Sequence, residues 1–251
     1  MPAPLAMPAM ADPARSSGAP PTAGGLVKIC GLTDADGIRA AASAGADMIG
    51  LVFVPASPRA VGPARAARLA RVPRGGAVLV GLFQDPALSE IEEALEAAPL
   101  DMIQLHGAET DDAVATIRSA FGLPVIKAVG VSGPGDLYRA AGCPADMMLY
   151  DAKPPEDGRG HGAGGGHGLA FDWDVLAAGA HARPWLLAGG LTDANVADAV
   201  RAGGAFPGFA GVDVSSGVEA SRGVKDARRI KRFIGAARAA MAAPTKEHVH
   251  G

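Results

Sequence analysis

Eight short runs rich in aliphatic and β-branched residues recur along this chain, each followed by a stretch with helical spacing, and no other feature restricts its fold so strongly. The runs are Leu26–Cys30, Met48–Val54, Ala77–Phe83, Met102–Leu105, Val125–Val129, Met147–Tyr150, Trp185–Ala188 and Gly211–Val214. After the third, the spacing predicts a helix over Pro86–Ala98, with Leu88, Ile91 and Leu95 on one stripe. After the seventh, Thr192-Asp193-Ala194-Asn195 reads as a cap before the apolar run Val196, Ala199, Val200. Strands alternating with helices pair in parallel through right-handed crossovers. Eight such units imply the α/β class and a single closed (β/α)8 TIM barrel. The alternative is an open doubly wound sheet, but Cys30-Gly31-Leu32-Thr33-Asp34 lacks the spaced glycines of a dinucleotide fingerprint.

The chain has 251 residues, 49% of them hydrophobic, which suffices for one large core. The expected organisation is a disordered extension over 1–24, a catalytic barrel over 25–242 and a tail over 243–251. Residues 1–24 are rich in Pro, Ala and Gly, and lack the basic and apolar regions of a secretory signal; Met7 and Met10 leave a later start open. A net charge of −3 and a pI of about 6.1 argue against nucleic acid as a partner. Arg222 to Arg238 alternates with apolar residues and reads as a solvated helix face. No run is long and apolar enough to predict a membrane span. Two distant cysteines, Cys30 and Cys143, suggest reduced thiols and a cytoplasmic setting, with Cys143 structural.

Side chains alternate faces along a strand. Val27 and Ile29 therefore oppose Lys28 and Cys30, and Ile103 and Leu105 oppose Gln104 and His106. Met148 and Tyr150 oppose Asp151, while Val212 and Val214 oppose Asp213 and Ser215. The apolar set suits the helix ring, which directs the polar set into the barrel, where it needs partners or a ligand. Barrel active sites lie at the C-terminal strand ends. There Cys30 and Asp151 are the candidate catalytic residues, a thiol base facing a carboxyl acid. Lys28 is a candidate source of charge for the thiol. His106 is open between ligand contact and a core role. Lys127 and Asp213 are expected to pair with each other inside the barrel, with ordering of the phosphate loop as the alternative for Asp213.

Three glycine-containing turns suit an anion: Ala188-Gly189-Gly190, Ser215-Ser216-Gly217 and Gly164-Gly165-Gly166-His167-Gly168. Glycine lets backbone N–H groups approach closely, and the loops after strands seven and eight are the usual phosphate site of this architecture. Candidate phosphate-binding residues are Gly166, Gly168, Gly189, Gly190, Asp213, Ser215 and Ser216, and the partner implied is a small phosphorylated molecule. No metal is expected, because His161 and His167 have no further ligands at suitable spacing. The glycine content of loop 154–170 would permit it to act as a lid.

From about Val27 to Ala237 the chain resembles the phosphoribosylanthranilate isomerase family of tryptophan biosynthesis. The resemblance rests on Lys28-Ile29-Cys30-Gly31-Leu32-Thr33, Phe53-Val54-Pro55-Ala56-Ser57-Pro58-Arg59, Gln104-Leu105-His106-Gly107 and Ile126-Lys127-Ala128-Val129. It continues through Leu149-Tyr150-Asp151, Phe171-Asp172-Trp173, Ala188-Gly189-Gly190-Leu191 and Gly211-Val212-Asp213-Val214-Ser215-Ser216-Gly217-Val218-Glu219. The resemblance implies an Amadori rearrangement without cofactor in a monomer or homodimer. It also implies Asp151 as general acid, Cys30 as general base, and Arg59 in contact with the anthranilate moiety. The chain departs from the family at His167 and Leu169, where a hydroxyl residue and a lysine are common. The aldose–ketose isomerase of histidine biosynthesis, or its dual-substrate relative, would use two aspartates where this chain offers a cysteine. Indole-glycerol-phosphate synthase would need a lysine that Ala77–Phe83 lacks. A non-catalytic phosphate-binding barrel is the third rival.

Overall fold

The computed structural model describes residues 25–152, 173–179, 181 and 183–243. Eight parallel strands close in sequence order into a barrel: β1 (Leu26–Cys30), β2 (Met48–Val52), β3 (Val78–Phe83), β4 (Met102–Leu105), β5 (Val125–Val131), β6 (Met147–Ala152), β7 (Trp185–Ala188) and β8 (Phe209–Val214). The closed barrel replaces the open-sheet alternative. The expected extension 1–24, the loop 154–170 and the tail beyond Ala243 lie outside the described residues.

Helices α1 (Ala35–Ala44), α2 (Pro63–Leu69), α3 (Leu88–Ala97), α4 (Asp111–Phe121) and α5 (Pro134–Ala140) follow the first five strands. Helices α6 (Val196–Gly204) and α7 (Ala227–Ala242) follow the last two. Among the described residues after β6, a 3₁₀ turn stands at Trp173–Ala178. Local chemistry sets several helix ends. Asp34 Oδ1 accepts from the Gly37 N–H at 2.7 Å to start α1, and Thr110 Oγ1 accepts from the Ala113 N–H at 3.3 Å to start α4. These bonds satisfy N–H groups that the helix itself leaves without partners.

The predicted stripe on α3 needs one correction. The helix begins at Leu88, which stands 43% exposed, and the face turned to the barrel is Ile91, Ala94 and Leu95. A residue in the first helical position overhangs the barrel instead of packing on it. On α7, Ile230, Phe233, Ile234 and Ala237 are buried while Arg228, Arg229 and Arg232 are exposed, so the solvated face holds for these arginines. Arg222 to Asp226 precede the helix, with the Lys225 side chain buried, and Arg238 is half-buried against Gly45 and Asp47. Among the described residues, no helix is long and apolar enough to cross a membrane.

Alternation along the strands divides the core into two shells. Val27, Ile29, Ile103, Leu105, Met148, Tyr150, Val212 and Val214 pack outward with the helix residues Ile38, Ile91, Val114, Ile117 and Phe233. The opposite parity fills the barrel. Leu26, Met48, Val80, Met102, Ile126, Met147, Leu149 and Leu186 form an apolar plug inside it. Farther along the same strands, Lys28, Gln104 and Asp213 are buried polar residues. A two-stranded hairpin, β9 (Glu219–Ser221) and β10 (Val224–Lys225), stands beside β8 and was not anticipated.

Candidate active site

A cavity of about 340 Å³ opens at the C-terminal ends of the strands. Cys30, Arg59, His106, Asp151, Gly189, Gly190, Asp213, Ser215 and Ser216 all line it. These residues span most of the chain, and barrel closure alone brings them together. Gly166, Gly168, His161, His167 and Leu169 lie outside the described residues. Ser57 and Gln84 also line the cavity, although sequence reasoning did not select them, and Gln104 lines it as its strand parity implied.

Cys30 ends β1, pairs in register with Gly50 of β2, and is 4% exposed. A Cβ at position 50 would stand 2.8 Å from the Cys30 sulfur, so the glycine makes room for the thiol. Burial pushes the Cys30 thiol up, while Lys28 and Lys225 pull it down without cancelling that effect, and Asp213 adds to the rise. Lys28 is fully buried, and its Nζ donates to Asp213 Oδ1 at 2.9 Å. Burial acts to lower the Lys28 pKa, but Asp213 and Cys30 outweigh it and hold the ammonium above its ordinary value.

The expected Lys127–Asp213 pair does not form. The β1–β8 register sets Lys28 opposite Asp213, whereas Ile126 and Ala128 face the barrel interior and turn Lys127 outward, beside the loop after β4. There Lys127 Nζ donates to Glu109 Oε2 at 2.8 Å and to the Gly107 carbonyl at 2.8 Å. Burial raises the Glu109 pKa, but Lys127 and backbone N–H donors outweigh it and bring the carboxyl below its usual range. Cys143 is buried in the core between barrel and helices, as its structural assignment requires.

Asp151 lies within β6, between Gly130 of β5 and Ala188 of β7. Its Oδ2 is 3.3 Å from His106 Nε2, and His106 Nδ1 is 3.0 Å from Gln104 Nε2. His106 is therefore held by side chains at the cavity wall, not by a backbone carbonyl in the core. With Gln104 as donor, the ring Nδ1 accepts and the Nε2–H points at Asp151. Gln104 Oε1 is buried with no hydrogen-bond partner among the described residues.

Arg59 is not an isolated cation awaiting a ligand. Its Nε and Nη2 donate to the two carboxylate oxygens of Glu219 at 2.6 and 2.9 Å, a bidentate pair. Lys225 Nζ also donates to Glu219 at 2.9 Å, and the Gly223 N–H does so at 3.1 Å. Burial acts to raise the Glu219 pKa, but Arg59, Lys225 and Gly223 hold it at about 2. Lys225 was invisible to sequence reasoning. Glu219 ended a motif but carried no periodicity that pointed to Arg59.

At the glycine turns, Gly189 and Gly190 take φ of 89° and 60°. The Asn195 side chain braces this turn, accepting from the Thr192 N–H at 2.7 Å and donating to the Gly190 carbonyl at 3.1 Å. Asn195 stands at the N-cap position of α6, but its side chain binds the preceding turn and not the helix. A Cβ at Gly217 would stand 1.8 Å from the Leu191 carbonyl oxygen, so the turns after β7 and β8 touch through a position only glycine can fill. The Asp213 carboxylate is engaged by Lys28, which leaves Asp213 to serve an anion only through the backbone that leads into Ser215.

The family model for N-(5'phosphoribosyl)anthranilate (PRA) isomerase matches residues 27–236. An N-(5'-phosphoribosyl)anthranilate isomerase of Paracoccus denitrificans is 53% identical over 85% of this chain and 97% of its own length. That of Paramagnetospirillum magneticum is 49% identical over 84% of this chain and 96% of its own length. The crystal structure of the Thermotoga maritima phosphoribosyl anthranilate isomerase superposes with a TM-score of 0.73 at 35% identity, covering 86% of this chain and 99% of that one. A phosphoribosyl anthranilate isomerase in complex with reduced 1-(o-carboxyphenylamino)-1-deoxyribulose 5-phosphate superposes at 0.71 with 32% identity, over 86% of this chain and 99% of its own.

Proposed function

The chain belongs to the N-(5'-phosphoribosyl)anthranilate isomerase family, and on that premise we propose that Cys30 and Asp151 are the base and acid of its reaction. The reaction converts N-(5-phosphoribosyl)anthranilate to 1-(2-carboxyphenylamino)-1-deoxyribulose 5-phosphate, a step of tryptophan biosynthesis. Asp151 protonates the furanose ring oxygen, which opens the sugar to a Schiff base. Cys30 as thiolate then removes the C2 proton, giving an enolamine that tautomerises to the ketone. No step needs a cofactor.

The observation that carries this reading is convergence. A thiol from β1 and a carboxyl from β6 line one cavity with an arginine and two glycine turns. Backbone groups at Gly189, Gly190, Ser215 and Ser216 hold the phosphate. Arg59 faces the aryl carboxylate with the guanidinium edge that Glu219 does not occupy. Asp151 must carry a proton to act as acid. Turning the Gln104 amide would place the ring proton of His106 on Nδ1, and a protonated Asp151 could then donate to Nε2. The turned arrangement holds the protonated acid, whereas the Nε2–H arrangement stabilises the Asp151 carboxylate left once the proton has been given up.

The test is loss of phosphoribosylanthranilate fluorescence, with substrate generated in situ, for wild type, Cys30→Ala and Asp151→Asn. Turnover by wild type with collapse in both variants supports the assignment. Turnover surviving both substitutions keeps the reaction and overturns these roles. Because burial pushes the thiol up, kcat/KM should climb as pH rises through its titration, and this limb should vanish in Cys30→Ser. A profile unchanged by that substitution would remove the thiolate from the mechanism.

A further inference from the structure

Two buried residues outside the cavity wall connect its two ends. Glu219 and Lys225 do not line the cavity, yet each binds a residue that does. Glu219 holds Arg59 through both carboxylate oxygens, at 2.6 and 2.9 Å. Lys225 Nζ donates to Glu219 at 2.9 Å, to the Ser215 carbonyl at 2.8 Å and to Ser215 Oγ at 3.2 Å. The Glu219 and Lys225 side chains are 5% and 1% exposed, so solvent does not share these contacts.

The backbone enforces the same link. Gly223, in the tip of the β9–β10 hairpin, takes φ of 82°, and a Cβ there would stand 2.7 Å from the Pro58 carbonyl oxygen. The hairpin therefore lies directly against the loop that carries Arg59. One short segment, Glu219 to Lys225, thus fixes the position of the loop after β2 relative to the loop after β8.

We propose that Glu219 and Lys225 are positioning residues that set the separation between the site for the substrate's aryl carboxylate, at Arg59, and the site for its phosphate, at Ser215. This rests on the substrate orientation given above. The substrate carries an anion at each end with the reacting carbons between them. A fixed spacing of the two anion sites holds C2 against the Cys30 sulfur and the ring oxygen against Asp151. A carboxylate between two cations suits this role because it keeps Arg59 oriented while leaving the guanidinium's other edge for the ligand. The shared ion network also makes the effects of the two residues interdependent.

Steady-state kinetics on Glu219→Gln, Lys225→Met and the double variant test the idea, with Arg59→Ala as control and thermal melts for each. Displacing reacting atoms by about 1 Å costs on the order of a hundredfold, so each single variant should lose roughly ten- to a hundredfold in kcat/KM, mostly in kcat. The double variant should lose little more than the worse single one. Lys225→Met should also raise the inhibition constant of anthranilate, although Lys225 contacts the phosphate side. Single variants with wild-type kcat, or losses that simply multiply in the double variant, would overturn the coupling while Arg59→Ala still collapses. If Arg59→Ala retains full activity, the orientation of the substrate is what fails. Should Glu219→Gln not fold, Glu219→Asp, which keeps the charge and shortens the reach, carries the same comparison. Its kcat should fall with little change in melting temperature, and an unchanged kcat would count against the proposal.

Discussion

The two halves of the barrel interior share the same strands but contain opposite chemistry. Toward the N-terminal ends, Leu26, Met48, Val80, Met102, Ile126, Met147, Leu149 and Leu186 fill the space with a dry plug. A few residues farther along, Lys28, Gln104 and Asp213 are buried with almost no solvent. The plug needs nothing beyond shape, because apolar side chains gain by leaving water whatever their neighbours are. The charged half is tolerable only as a set, since each buried ion needs its partner. Packing in one half supplies the rigidity that allows the other half to keep charges and a reactive thiol out of water.

Kinetics should separate the halves most widely. Cys30→Ala and Asp151→Asn should each lower kcat/KM by about 10²- to 10⁴-fold with melting temperature nearly unchanged, the usual scale for general acid–base groups. In the plug, Leu186→Ala should do the reverse. It should cost about 2–5 kcal/mol in urea unfolding and leave kcat of the folded fraction near wild type. A large kcat loss in Leu186→Ala would show that the division is less clean than the side chains suggest.

Asp213→Ala crosses the boundary. It strands the buried Lys28 ammonium, and removing one member of a buried pair costs about 3–5 kcal/mol. Here stability and activity should fall together. Gly50→Ala sharpens the comparison at the thiol, because the new methyl crowds the Cys30 sulfur without changing any charge. The expected loss is about tenfold or more in kcat.

A pH series isolates one charged group. Glu219 titrates at about 2 in the folded protein against an ordinary 4.5, so its network adds stability that is present above pH 4.5 and lost as pH falls toward 2. The melting-temperature gap between wild type and Glu219→Gln should therefore narrow over that window. Smallest of all, breaking the exposed Arg39–Asp36 pair, at 2.7 Å on the surface of α1, should leave the melting temperature unchanged within error.

Most of this architecture is legible in the sequence. Alternation along β1, β4, β6 and β8 separated Val27 and Ile29 from Lys28 and Cys30, and Val212 and Val214 from Asp213, and the two shells follow that division. Spacing on α3 was less reliable: Leu88 fits the helical period, but the helix starts too late to bury it. The cavity residues Cys30, Asp151, Gly189 and Ser215 were identifiable because each sits at a strand end, a position that local pattern marks.

What the sequence alone determined is therefore what depends on local periodicity: eight strands, their inward and outward faces, and a polar set gathered at one end. Tertiary structure decided the partners. Lys28 meets Asp213 because closing the barrel sets β1 beside β8, and Lys127, turned outward on β5, meets Glu109 because the loop after β4 folds over it. Arg59 meets Glu219 across 160 residues of chain. Pairings at such distance follow from strand register and loop packing, and neither leaves a periodic trace in the residues themselves.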